Sequence, residues 1–138
     1  MYQLNSLLSI IYIFNLVNMI KTKRIYDTPS NEDGYRILVD KLWPRGLKKE
    51  DVKLDEWEKH LAPSNSLRKW FDHKEDRFEE FSQSYKEELL EQKVGLNHIL
   101  ELASNKDVTL LYAAKNSTLN NAVVLYKILK SFENENKI

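Results

Sequence analysis

The sequence predicts an α/β domain, a small three-layer fold in which a short, mostly parallel sheet of about three or four strands is flanked by helices. Residues 20–26, IKTKRIY, alternate apolar and polar side chains with the period of a strand. Ile37-Leu38-Val39 and the VTLLYA run at 108–113 are continuous apolar stretches, as a sheet covered on both faces requires. The long stretch between these two runs has helical spacing, and a crossover of that length defaults to a right-handed parallel connection.

The first strand, 20–26, presents one face to the core. Asp27 to Gly34, DTPSNEDG, gathers Pro, Ser, Asn, Asp and Gly and reads as a turn. The second strand spans 35–43, YRILVDKLW, and stops at Pro44, which has no N–H for a ladder. Lys48 to His60 is densely charged, with Leu54, Trp57 and Leu61 at helical spacing, and predicts a short helix. Ala62-Pro63-Ser64 breaks it, and Ser64 is placed to cap a helix carrying Leu67, Trp70 and Phe71. A longer helix is expected from Asp72 or His73, with Phe78, Phe81, Tyr85 and Leu89 as its inner stripe. Val94 to Ala103 reads as another helix after a bend at Gly95, and Asn105-Lys106-Asp107 as a turn into the third strand, 108–113. Asn116 to Thr118 offer caps for a last helix whose inner face is Val123, Val124, Ile128 and Leu129. Residues 19–133 thus form a single domain, and 134–138 a polar tail.

The 138 residues are 42% hydrophobic and 30% charged, a balance suited to one compact core. Lys+Arg and Asp+Glu both number 21, so the formal charge is zero and a generally basic nucleic-acid binder is not expected. The chain has no cysteine, which removes disulfides, thiolate zinc sites and a cysteine nucleophile, and suits a reducing cytoplasm. The first eighteen residues, MYQLNSLLSIIYIFNLVN, carry no charge. Their apolar stretch, Leu7 to Val17, is short for a membrane span and lacks the flanks of a signal peptide. Met19 stands where ordinary globular patterning begins, so the expectation is an upstream-extended start with Met19 as the natural first residue. An apolar helix packed on the domain or on a partner is the second reading, and a membrane anchor the third.

Ligands of open α/β sheets collect beyond the carboxyl ends of the strands. The second strand leaves the sheet as DKLWPRGL, 40–47, carrying Lys41, Trp43 and Arg45. The third leaves through Tyr112 and Lys115 into Asn116 and Ser117. Side by side in parallel, these exits converge. Arg45 can grip a phosphate or carboxylate bidentately, Lys41 and Lys115 act as point charges, and a helix N-terminus adds free N–H groups. Trp43 and Tyr112 offer flat faces for a base, although a tryptophan is more often core than ligand platform. In the plainer account Lys41 is an ordinary strand-end residue and Arg45 pairs with Glu50 or Asp51.

His73, in WFDHKEDRF beside Asp72, is a candidate acid–base group, and Asp40 a candidate catalytic carboxylate. The plain alternative for His73 is a helix cap or a solvated turn. His60 and His98 read as structural. The three histidines fit no metal signature, so neither a metal nor another cofactor is expected. Phosphate-cradling glycine loops, GxSxG and HExxH do not occur.

Several long segments in order carry a family resemblance: IKTKRIYD at 20–27, EDGYRILVDKLWPRGL at 32–47, LDEWEKHLAPSNSLRKWFDH at 54–73, RFEEFSQSY at 77–85, VTLLYAAKN at 108–116 and NNAVVL at 120–125. From about Ile20 to Leu129 the chain resembles the domain of unknown function 488, in its short YeaO-like branch. The resemblance implies Asp40, Arg45, Tyr112 and Lys115 as site candidates. Longer relatives carry a later segment with a cysteine and a histidine; here the matching position holds Leu119-Asn120-Asn121, which supports no nucleophilic or redox role. Asn120 and Asn121 remain able to hydrogen-bond a ligand or cap the last helix. Some members of the family are described as transcriptional regulators; this sequence shows no helix-turn-helix geometry and no basic face.

The expected function is binding of a small anionic ligand, phosphate- or nucleotide-like, at the strand ends of a cytoplasmic protein, with catalysis left open. The alternative is a nucleic-acid-associated or regulatory module using Lys21, Lys23, Arg24, Arg45, Lys48, Lys49 and Lys53. A membrane partner is not expected, and the oligomeric state is not readable.

Overall fold

The computed structural model describes residues 19–135, so the expectations for residues 1–18 and for the end of the polar tail lie outside the described residues. One four-stranded sheet is formed by β1 (Ile20–Arg24), β2 (Tyr35–Leu38), β3 (Glu56–Trp57) and β4 (Val108–Tyr112). Its spatial order is β1-β4-β2-β3, and every pairing is parallel. Val108 lies opposite Ile20 on one side and Tyr35 on the other, so β4 is the central strand and all five of its residues are buried. The helices are α1 (Lys49–Val52), α2 (Asn65–Phe71), α3 (Phe78–Leu90), α4 (Lys93–Ala103) and α5 (Asn121–Glu135). No helix among the described residues is long and apolar enough to cross a membrane.

Strand alternation divides the apolar residues between two faces. Ile20, Ile37, Val39, Val108, Leu110 and Tyr112 face the larger core, where they meet Phe81, Tyr85 and Leu89 of α3, Ile99 of α4 and Leu125, Ile128 and Leu129 of α5. Ile25, Leu38 and Leu111 point the other way, into a smaller cluster with Val52, Trp43, Leu47, Leu54 and Trp57. Covered faces explain why β2 and β4 read as continuous apolar runs. On the smaller side Asp33 is 2% exposed and ties β1 to β2: it accepts from Lys23 Nζ (3.0 Å), Arg36 Nη1 (2.5 Å) and the Ser30 N–H (2.9 Å).

Several expected elements differ. The helix expected over 48–60 is limited to α1, because Lys53 turns left-handed (φ 52°) and Glu56–Trp57 joins the open edge of β2 as β3. That edge offers bonds a helix would forgo: Asp55 N donates to Arg36 O (3.0 Å), the Asp55 carboxylate accepts the Arg36 N–H (2.8 Å), and Glu58 N donates to Leu38 O (2.8 Å). Asp72 and His73 do not start the long helix. Both are left-handed (φ 50° and 55°), and the Asp72 N–H closes α2 on Arg68 O (3.0 Å). Consecutive left-handed residues cannot begin a right-handed helix, so α3 waits until Phe78. Gly95 lies within α4 rather than at a bend; a Cβ there would stand 2.9 Å from Leu61 Cδ2. The first and second strands are shorter than expected, ending at Arg24 and Leu38. The cap of α5 is Asn120, whose Oδ1 accepts from Val123 N at 3.0 Å, while Asn116 closes a tight turn on Thr118 and Leu119.

Candidate functional site

Because every strand is parallel, all carboxyl ends share one edge of the sheet. Beyond that edge, roofed by the C-terminal turn of α2, lies a cleft of about 860 Å³. Asp40, Lys41, Trp43, Arg45, His73, Lys115, Asn120 and Asn121 all line it. Tyr112 does not: it is 3% exposed and belongs to the larger core. The reason is pleat, since Tyr112 shares its face with Val108 and Leu110, and its ring packs inward instead of stacking a ligand.

Asp40 forms the floor. Its carboxylate accepts from the Ala113 N–H (2.9 Å), holding the exits of β2 and β4 together where the backbone ladder has ended. Asn121, at the start of α5, donates its amide to the other Asp40 oxygen (3.0 Å) and to Val39 O (3.1 Å). Behind them Tyr85 is fully buried, and its hydroxyl donates to Leu61 O. Burial pushes the Asp40 carboxyl above its ordinary range, opposed by the Ala113 N–H, the Asn121 amide and the fields of Arg68 and His73.

Two lining residues are already committed to the fold. The Asn120 amide donates to Asn116 O (2.8 Å) while its oxygen caps α5. The Trp43 ring stands edge-on to Trp57 (centroids 5.4 Å apart), and its Nε1 donates to Leu47 O (2.7 Å), so packing claims much of it. His73 is exposed in the left-handed turn, 6.1 Å from the Phe71 ring, which is the solvated-turn placement.

The remaining walls are cationic. Arg24, Lys41, Arg45, Arg68, Lys69 and Lys115 line the cleft, against the carboxylates Asp40, Asp72 and Glu75. Among the described residues none of these six cations has a carboxylate partner within 4.0 Å; the ion pairs present all lie elsewhere. Arg45 in particular pairs with neither Glu50 nor Asp51. Arg68 donates through Nη2 to Asn65 Oδ1 (2.8 Å), and its buried Nε–H has no acceptor among the described residues.

Tyr26, Arg68 and Lys69 escaped the sequence reading, which named Arg24 only for a basic surface and not for the cleft. Arg24 Nε reaches the carbonyls of Ala113 (3.3 Å) and Ala114 (3.1 Å), and its guanidinium lies 4.6 Å from the Tyr26 ring centre. The Tyr26 hydroxyl in turn donates to Arg45 O (2.8 Å), so three strand exits are braced against one another. Arg24 and Tyr26 stand at the exit of β1, and the strand-end rule applied to the second and third strands would have found them there. Among the described residues no group of three His, Asp or Glu side chains is placed to hold a metal ion.

Over residues 19–137 the chain matches the family DUF488-N3i, described as the inactive DUF488-N3 subclade. It is similar to YeaO of Escherichia coli (strain K12), described as uncharacterised: 46% identical over 112 residues, which cover 81% of this chain and 97% of that one. Rv3073c of Mycobacterium tuberculosis and Mb3100c of Mycobacterium bovis, also described as uncharacterised, are each 36% identical over 110 residues, covering 80% of this chain and 92% of theirs. No solved structure matches.

Proposed function

This chain belongs to the DUF488 family, in the branch described as the inactive DUF488-N3 subclade, and from that premise we propose that it binds a small anionic ligand, phosphate- or nucleotide-like, in the strand-end cleft. One observation carries the reading. In a chain of zero formal charge, six cations and three carboxylates line one cleft, and none of the six has a carboxylate within 4.0 Å among the described residues. Unpaired cations brought together repel, and a bound anion removes that cost while accepting charge-assisted hydrogen bonds.

Binding is favoured over turnover. Both Asp40 oxygens already accept hydrogen bonds from the fold, His73 stands in an exposed turn, and the description of the matching subclade as inactive points the same way. No observation favours the nucleic-acid reading: Lys21 and Lys23, two cations of its surface, are engaged with Asp33. A cytoplasmic setting suits the cysteine-free sequence.

Thermal unfolding in orthophosphate, AMP and ATP, compared with chloride at matched ionic strength, tests the reading. A ligand at one hundred times its Kd stabilises by about 2.7 kcal/mol, which raises Tm by roughly 5–10 °C for a domain of this size. Arg45→Glu with Lys115→Glu should abolish the rise. If no phosphate-bearing compound shifts Tm beyond chloride, the cleft is not an anion site.

A further inference from the structure

The anion reading can be narrowed to a ligand class, and the narrowing rests on that reading. The six cations do not come from one place. Arg24 belongs to the end of β1, Lys41 and Arg45 to the segment after β2, Arg68 and Lys69 to α2, and Lys115 to the segment after β4. They therefore reach a cleft of about 860 Å³ from four separate segments, a volume in the range of sites for ligands much larger than one phosphate. A charge-assisted hydrogen bond needs donor and acceptor within about 2.7–2.9 Å. Cations spread over four segments outnumber those a single phosphate can engage at that distance.

The segments also differ in kind. On the α2 side, Arg68 carries a buried Nε–H with no acceptor among the described residues, while its Nη2 is fixed on Asn65. A buried donor without an acceptor is costly, and a turn of the guanidinium onto a ligand oxygen in the cleft would relieve it. On the strand side, Arg45 and Lys115 are exposed, make no side-chain ion pair among the described residues, and are free to close on a second charge.

We propose that the cleft is built for a ligand carrying at least two separated anionic groups, one received by Arg68 and the other by Arg45 and Lys115 at the rim. The ligand class is a polyanion of pyrophosphate or oligophosphate type, free or as part of a nucleotide. Asp40 also lines the cleft and opposes any anionic group set against it, which favours anionic groups held apart at the cations.

Isothermal titration calorimetry on the full chain at fixed ionic strength compares orthophosphate with tripolyphosphate. Tripolyphosphate is expected to bind at least about tenfold more tightly, as one added set of charged hydrogen bonds allows. Arg45→Gln, Lys115→Gln and Arg68→Gln should each weaken tripolyphosphate by about tenfold. The rim residues are exposed, so their variants test the idea even if Arg68→Gln does not fold. Lys106→Gln, at the opposite edge of the sheet, should leave the affinity unchanged. Equal affinity for the two anions, unaltered tripolyphosphate binding in both rim variants, or an equal loss in Lys106→Gln overturns the two-station inference and leaves a simple anion cleft. Binding of neither anion overturns the anion reading itself, and the inference with it.

Discussion

Replacing Asp33 with Asn removes one negative charge from the smaller side of the sheet while keeping nearly the same shape. The wild-type carboxylate is received by Arg36, Lys23 and the Ser30 N–H, with only 3% of its side chain exposed. Removing one partner of a buried ion pair costs about 3–5 kcal/mol. Arg36 keeps two carbonyl acceptors, Val52 O (2.9 Å) and Lys53 O (3.2 Å), and Lys23 keeps Thr28 O (2.8 Å), so the low end, about 3 kcal/mol, applies. With a urea m-value of about 2 kcal/mol/M, the unfolding midpoint should fall by about 1.5 M at pH 7. The pH dependence follows from the carboxyl itself. Burial opposes its ionisation, but the Ser30 N–H and the Lys23 and Arg36 cations outweigh burial and hold its pKa below the ordinary value. A depressed folded pKa gives stability that is present above the unfolded value, about 3.9, and is lost as pH falls through the folded one. The gap between wild type and Asp33→Asn should therefore close on acidification. A gap under about 1 kcal/mol at neutral pH, or one that widens in acid, would refute the reasoning.

Asp40 should behave with the opposite sign. Its carboxyl is raised by burial, so its contribution is fully present below the unfolded pKa and lost as pH rises through the folded one. Asp40→Ala, which orphans the Ala113 N–H at a cost of about 1–3 kcal/mol, should thus destabilise more at pH 4 than at pH 7.5 in urea melts; the reverse order would contradict the burial argument. Gly34→Ala should lower Tm by roughly 5–10 °C, a loss of about 2–3 kcal/mol, because φ is 64° and the new Cβ would lie 2.4 Å from Asp107 O. An unchanged Tm would mean that the turn and Asp107 separate easily. Tyr85→Phe should cost about 1–2 kcal/mol of unfolding free energy in urea, since Leu61 O loses its buried hydroxyl donor. A neutral result would show that another donor reaches that carbonyl.

The sheet was legible because YRIL and VTLLY carry their burial in residue type, as covered parallel strands must, while IKTKR shows the alternation of a strand with one face on the core. The cleft was legible for a related reason, since strand direction alone places Asp40, Lys41, Arg45 and Lys115 at one edge. What failed was local spacing without context. Leu54, Trp57 and Leu61 are spaced like a helix face, yet Trp57 serves the edge of β2 and Leu61 the larger core, a division set by an unfilled strand edge far along the chain. Arg68 and Lys69 were invisible as site residues because α2 reaches the cleft only through its packing on α3, where Phe71 stacks on Phe81 with ring centres 4.3 Å apart. Tyr112 shows the limit of counting outward from a strand end: the last residue of the ladder still obeys the pleat.

The strand order has a consequence for synthesis. β4 joins β1 to β2, yet it is the last strand to be made, and a nascent chain that has reached Leu102 holds β1 and β2 with nothing between them. Before β4 is made only the short β2–β3 pairing is available, and the edges of β1 and β2 that receive β4 stay open to foreign strands during that interval. Closure then comes late and from distant parts of the sequence, a slow kind of folding. Lys115 and α5 emerge later still, so the cleft comes into being only as the chain is finished.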